Sequence, residues 1–176
     1  NYHLLSYLQK EGAKISACDI NIDSVDRATR EFGIQAVSPE SIYDVECDIF
    51  SPGALGAIIN PQTLPRLRCK VVAGAANNQL ATENEGMALL KRGILYAPDY
   101  AINAGGVINV YSELAGWTRD RALRKADEIF DTILGVYQTA KDQGIHTYEA
   151  ADRVAEKRLK AVGSLTRTWP QWPRKS

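Results

Sequence analysis

The stretch AKISACDINIDSVDRATREFG (13–33) decides the fold. AKISAC (13–18) is a short run of apolar and small residues that reads as a strand ending at Asp19. Asp23 is placed to cap the helix SVDRATREF (24–32), and Gly33 stops it. A strand, an acid at its carboxyl end and a capped helix follow one another within 13–33. Strands alternating with helices in this way build βαβ units and a parallel sheet.

The alternation continues outward in both directions. Upstream, YHLLSYLQKE (2–11) places Leu4, Leu5 and Leu8 on one helical face, with Gly12 after it. Downstream come a short apolar piece at 34–37 and a short helix within SPESIYDV (38–45). CDIF (47–50) is a compact apolar run entering a Ser-Pro-Gly loop, and Asn60-Pro61 is a helix-starting pair for a short helix through Leu67. KVVAG (70–74) is the clearest strand. The helix 82–92 (TENEGMALLKR) begins acidic and ends basic before Gly93, as the helix dipole favours. ILYA (94–97) is the next strand, closed by Pro98. Beyond Gly106 the pattern is helical. Arg119–Gln143 is one long amphipathic helix ending at Gly144, and a last helix spans Tyr148 to about Leu165 before a tail with two Trp-Pro pairs.

In an open parallel sheet, ligands lie beyond the carboxyl ends of the strands. The residues there are Asp19 and Ile20; Ser51, Pro52, Gly53, Ala54 and Leu55; Ala75, Ala76, Asn77 and Asn78; and Asn103 through Gly106. All but Asp19 are uncharged, and none forms an acid–base or metal cluster. Such a surface suits a flat cofactor held by backbone and amide groups. Asp19 at the second strand of a dinucleotide fold would accept hydrogen bonds from ribose hydroxyls, and its charge would repel the 2′-phosphate of NADP, so it points to NAD. Alternatively it forms an Asx-turn on its own backbone near Asn21. Asn77 and Asn78 are either amide contacts to a nicotinamide and a substrate, or turn residues leading into a helix. Gly105-Gly106 is either a close backbone approach to a ligand or a tight turn. Val107 and Val110 either line a substrate pocket one turn apart or belong to the core. His3 and His146, the only histidines, suit surface or helix-end roles.

Counting back about 20 residues from the acid places the glycine-rich fingerprint of such folds upstream of Asn1. Its strand would be central, and a domain without it would leave two strand edges open. The expectation is therefore a portion of a longer polypeptide: an α/β, Rossmann-type doubly wound parallel sheet lacking its first strand and Gly-rich loop, with C-terminal helices.

Composition bounds the partners. The 176 residues carry 21 basic and 21 acidic side chains, with 45% hydrophobic and 24% charged residues, which is ordinary for a globular domain. Zero net charge gives no electrostatic case for nucleic acid or an anionic membrane. No apolar run approaches a membrane span. Cys18, Cys47 and Cys69 cannot all pair, have no zinc-site spacing, and read as reduced thiols of a cytoplasmic protein.

Three segments together resemble a known family. CDIFSPGALGAIIN (47–60), KVVAGAANNQL (70–80) and LYAPDYAINAGGVINVYSELAGW (95–117) are similar to the C-terminal NAD-binding domain of leucine, phenylalanine and valine dehydrogenases, within the glutamate dehydrogenase superfamily. DIN (19–21) and TYEAADRVAEKRL (147–159) resemble the leucine enzymes most, and the likeness runs from Tyr2 to about Leu159.

The resemblance implies NAD-dependent oxidative deamination of an L-amino acid to its 2-oxo acid and ammonia. Two lysines and an aspartate of a separate N-terminal domain would bind the carboxylate, activate water and handle protons. None of those motifs occurs here, so no catalytic residue and no metal site is expected in this chain. Cofactor contacts are expected at Asp19, Ile20, Ser51, Ala54, Leu55, Ala76, Asn77, Asn78 and Asn103. Substrate contacts are expected at Asn78, Val107 and Val110. Residues 1–145 would form the cofactor domain, with 146–176 packing against it or toward the absent catalytic domain. Partners would be an amino-acid substrate, that N-terminal domain and copies of the same polypeptide in a homo-oligomer. Valines at 107 and 110 favour a branched-chain substrate. Gly53 where the leucine enzymes usually have cysteine, and Tyr111-Ser112 in place of a small and an acidic residue, keep phenylalanine and tryptophan in play. A non-catalytic dinucleotide-binding module is the other alternative.

Overall fold

The computed structural model of the chain describes residues 2–166. Asn1 and the Trp-Pro tail fall outside the described residues. The chain divides into two compact units, one through Asn103 and one from Ala104. The division falls inside the stretch 1–145 that sequence assigns to one cofactor domain.

The first unit alternates helices and strands. In order these are α1 (Tyr2–Lys10), β1 (Ser16–Ala17), α2 (Ile22–Phe32), β2 (Gln35–Ala36), β3 (Ile49–Phe50), β4 (Val71–Val72), α3 (Glu83–Lys91), β5 (Leu95–Tyr96) and α4 (Asp99–Ile102). Single 3₁₀ turns at Ile42–Asp44 and Leu64–Arg66 stand where short helices are expected. All strand pairing is parallel. β1 pairs with β2 (Ser16 opposite Gln35), and β3–β4–β5 form a separate ladder (Ile49 opposite Val71, Val71 opposite Leu95). The expected α/β class with parallel strands is present. Among the described residues no strand joins the two ladders, so β1 and β3 each keep one unpaired edge.

Local chemistry sets the boundaries. Asn21, not Asp23, caps α2: its extended backbone lets its side-chain oxygen accept the Ser24 N–H at 3.3 Å. Asp23 falls in the first turn, where its carboxylate complements the helix dipole. Gly33 closes the helix in a left-handed conformation, φ 64°, and its N–H donates to Thr29 O. α3 opens with a capping box. The Thr82 N–H donates to Glu85 Oε2 at 2.7 Å, while Asn84 N–H donates to Thr82 Oγ1 at 3.2 Å.

The core lies on the larger ladder. Ile59, Leu64, Leu67, Val72, Leu89, Ile94 and Tyr96 are buried together, with Phe50 and Tyr43 packed against them. Residues just after β2 dock onto this body: Tyr43 meets the Phe50 ring, and Arg66 Nη2 lies 2.7 Å from Asp44 Oδ2. Edge position shows in exposure. Val72 on the central strand is fully buried, whereas Ile49 on β3 is 56% exposed.

The second unit is helical: α5 (Gly105–Leu114), α6 (Arg119–Gln143) and α7 (Thr147–Thr166). α6 begins at a Thr118 cap and ends at left-handed Gly144, matching the expected bounds. α6 and α7 meet through Val136, Ala140, Ala150 and Ala151, where small side chains let the helix backbones approach. Trp117, between α5 and α6, stacks under Arg121 and meets Tyr111 edge-on. His146 has the expected helix-end role, with Nδ1 accepting the Glu149 N–H at 3.1 Å.

Candidate functional site

Three loops leave the carboxyl ends of β3, β4 and β5 side by side, at 51–57, 73–79 and 97–103. The first two are zipped together by backbone. Ala76 N–H donates to Pro52 O at 3.0 Å, and Ala57 N–H donates to Asn78 O at 2.6 Å. The closest approach is at Gly74. A side chain there would put its Cβ 2.1 Å from Pro52 O and 2.4 Å from Pro52 N, both backbone atoms, so only glycine fits. Gly56 is similar, with Asn77 O 2.9 Å from the Cβ position. Asn78 holds φ 51°, a left-handed conformation that asparagine tolerates better than most residues.

A buried polar network underlies the second loop. Gln79, fully buried, donates from Nε2 to Gly74 O at 2.7 Å and to Ala76 O at 2.9 Å. Its N–H donates to Asp99 Oδ2 at 3.3 Å, and the Tyr96 hydroxyl donates to the other Asp99 oxygen at 3.2 Å. Asn103 Nδ2 donates to Asn77 Oδ1. The result is a braced platform that presents Asn77 and Asn78 on its outer side, where both are exposed.

Sequence reading missed Gln79, Asp99 and Tyr96. The only hint was an acid and an amide next to strand ends. Their meeting depends on the β4–β5 pairing, which brings 79 and 99 together.

The expected residues take the following places. Ser51, Ala54 and Leu55 are exposed on the first loop, Ala76 is buried under the second, and Asn103 is half-buried beneath Asn77. The two loops 51–57 and 73–78 carry no charged side chain. Asp19 is exposed at the end of β1 and forms the Asx-turn: Asn21 N–H donates to Asp19 Oδ1 at 2.9 Å. Ile20 beside it is 93% exposed. Burial and the neighbouring Asp19 carboxylate together push the Cys18 thiol above its ordinary range. Val107 and Val110 belong to the second unit, on α5. They are 73% and 59% exposed, so packing into a core among the described residues does not account for them. A cleft of about 540 Å³ opens at the other, amino, ends of β3–β5, and none of the expected cofactor or substrate residues lines it.

The family model of Glutamate/Leucine/Phenylalanine/Valine dehydrogenase matches residues 5–165. A leucine dehydrogenase from Thermoactinomyces intermedius is 55% identical over 97% of the chain, and one from Bacillus cereus is 52% identical over 96%. The crystal structure of L-tryptophan dehydrogenase from Nostoc punctiforme superposes with a TM-score of 0.89 at 42% identity, covering 90% of this chain and 48% of that one. The chain spans about half the length of the curated relatives it matches, 46% of each leucine dehydrogenase.

Proposed function

The chain belongs to the Glutamate/Leucine/Phenylalanine/Valine dehydrogenase family, and on that premise we propose that it is the NAD-binding part of an L-amino-acid dehydrogenase. The reaction is reversible oxidative deamination of the amino acid to its 2-oxo acid and ammonia. The single observation that carries the reading is the chemistry of the strand-end surface. One exposed carboxylate, Asp19, stands at the end of β1, and the loops after β3 and β4 offer only backbone, hydroxyl and amide groups. That donor set fits a dinucleotide.

NAD, when bound, supplies the hydride acceptor. Asp19 accepts from the adenosine ribose hydroxyls; its Asx-turn uses Oδ1 and leaves Oδ2 for the ligand. Its charge opposes a 2′-phosphate. Exposed Ile20 gives that end an apolar edge. Ser51, Ala54 and Leu55 line the cofactor along the zipped loops, buried Ala76 supports them through its N–H to Pro52 O, and Asn103 fixes the Asn77 carboxamide from below. Asn78 presents its carboxamide to the nicotinamide amide or the substrate carboxylate. Val107 and Val110 line the side-chain pocket. The acid–base groups and a parallel strand between β1 and β3 come from the rest of the polypeptide, and the two unpaired ladder edges support that placement. Cleft closure against the catalytic domain then excludes water.

A branched-chain substrate is favoured by the leucine dehydrogenase relatives. An aromatic substrate is the second reading, favoured by the close fit to the tryptophan enzyme. The test is NADH formation by the complete polypeptide with L-leucine, L-valine, L-phenylalanine and L-tryptophan. Fastest turnover of leucine or valine is expected, and fastest turnover of an aromatic amino acid establishes the second reading. NAD binding without turnover of any amino acid would identify a non-catalytic module and overturn the proposal.

A further inference from the structure

We propose that Cys47 and Cys69 form a dithiol site that closes into a disulfide when a peroxide oxidises it. The ladder register places them opposite each other. Glu46 bridges Arg68 and Ile49 pairs with Val71, so the offset between the strands is constant. Asp48 and Lys70, one step further on, confirm it with their side chains: Lys70 Nζ lies 2.7 Å from Asp48 Oδ1 at a separation of 22 residues. The same offset sets Cys47 against Cys69, and Cys47 N–H donates to Arg68 O at 3.1 Å. Because successive side chains alternate across a sheet and the two cysteines stand at paired positions, both project to the same face.

Both cysteines line the cleft at the amino ends of β3–β5, together with Asp48, Lys70, Leu67, Arg92 and Ile94. Neighbouring strands lie about 4.8 Å apart, within the roughly 4.4–6.8 Å between Cα atoms that a disulfide spans. Arg92 is held in place by donating to Leu64 O and, at 2.6 Å, to Leu67 O. Burial raises both thiols, and the nearness of Cys47 raises Cys69 further.

The chemistry balances with peroxide as the oxidant. One thiolate attacks a peroxide oxygen, the O–O bond breaks, and the sulfur becomes a sulfenic acid as water leaves. The second thiolate attacks that sulfur, the S–S bond forms, and the sulfenic oxygen departs as a second water. Two thiols lose two electrons and two protons, and one hydrogen peroxide becomes two waters.

Cys18 is the internal control. It is half-buried like the other two, and its thiol is also raised by burial. It follows β1 in the other ladder, where the register sets Val37 opposite it. The site lies at the far end of β3 and β4 from the loops proposed to hold NAD, so it stands or falls separately from that reading.

The test is peroxide treatment of the full chain, alkylation of the remaining thiols, digestion without reduction, and mass spectrometry. A peptide pair joining Cys47 to Cys69 is expected. It should disappear on reduction, persist in Cys18→Ser, and be lost in both Cys47→Ser and Cys69→Ser. Full alkylation of Cys47 and Cys69 under conditions that oxidise Cys18 would overturn the proposal. So would crosslinks that join Cys18 to either cysteine as often as the two to each other, or crosslinks only between copies of the chain.

Discussion

The two ladders of the first unit are built from the same repeating pattern and end in different physical states. β3–β4–β5 carries a core of seven buried side chains, and its outgoing loops are locked by backbone contacts and a buried amide. β1–β2 carries no fully buried residue in either strand, and its outgoing turn is held by the exposed Asp19 and Asn21 side chains. The difference teaches where the fold is self-sufficient. The larger ladder has neighbours on both sides of its central strand, whereas among the described residues the smaller one is a single pair with a free edge on each strand. The residue proposed to select NAD thus sits on the less supported ladder, and the amides proposed to meet the nicotinamide sit on the better supported one.

The largest effect expected from breaking this contrast is at Leu89, fully buried against the larger ladder. Leu89→Ala should cost about 4 kcal/mol in urea unfolding, within the range for a leucine truncated in a close-packed core. A loss below about 1 kcal/mol would show that the core does not carry the ladder. Gly74→Ala comes next, at about 3 kcal/mol, because the added Cβ meets Pro52 backbone atoms that cannot step aside. The same measurement applies, and an unchanged midpoint would mean the two loops are not zipped in solution.

Ile49 sharpens the comparison instead of breaking it. At 56% exposure it loses little on truncation, so Ile49→Ala should cost about 1 kcal/mol or less in this chain. In the complete polypeptide, where a strand is proposed to cover that edge, the cost should rise to about 2 kcal/mol or more. Equal costs in both would contradict the covering strand.

The smallest effect is electrostatic. Arg66 holds the Asp44 carboxyl below the ordinary carboxylate range by hydrogen bonding and charge, which ties the segment after β2 to the larger ladder. A carboxyl lowered on folding stabilises fully above its unfolded pKa and loses that contribution as pH falls through its folded value. Asp44→Asn should therefore flatten the acid limb of the stability profile slightly and leave stability near neutral pH almost unchanged. An acid limb identical to that of the parent chain would show that the pair contributes nothing.

The sequence made the larger architecture legible for physical reasons that act locally. Gly33 and Gly144 end helices because the left-handed closing conformation favours glycine, and both positions were readable from composition alone. Other features depend on partners distant in sequence. The α2 cap went to Asn21 and not Asp23, since several polar residues compete there and backbone geometry chooses among them. Gly74 looked like an ordinary strand-end glycine until Pro52 was placed against it. Gln79 meets Asp99 only through the β4–β5 pairing, and Cys47 meets Cys69 only once the β3–β4 register is known. The exposure of Val107 and Val110 was likewise unreadable, because an apolar pair one helical turn apart looks the same in a core and at a pocket.

The central claim is that Asp19 selects NAD from the edge of the smaller ladder, and its direct test is the affinity of Asp19→Asn for NAD and NADP in the complete polypeptide. Asparagine keeps the oxygen that accepts from Asn21 and removes only the charge, so the turn survives. Hydrogen bonds to a charged group contribute about 1.5–3 kcal/mol, which predicts NAD binding weakened by roughly 10-fold or more and NADP binding unchanged or tightened. Equal weakening of both cofactors, or no change in either, would contradict the account.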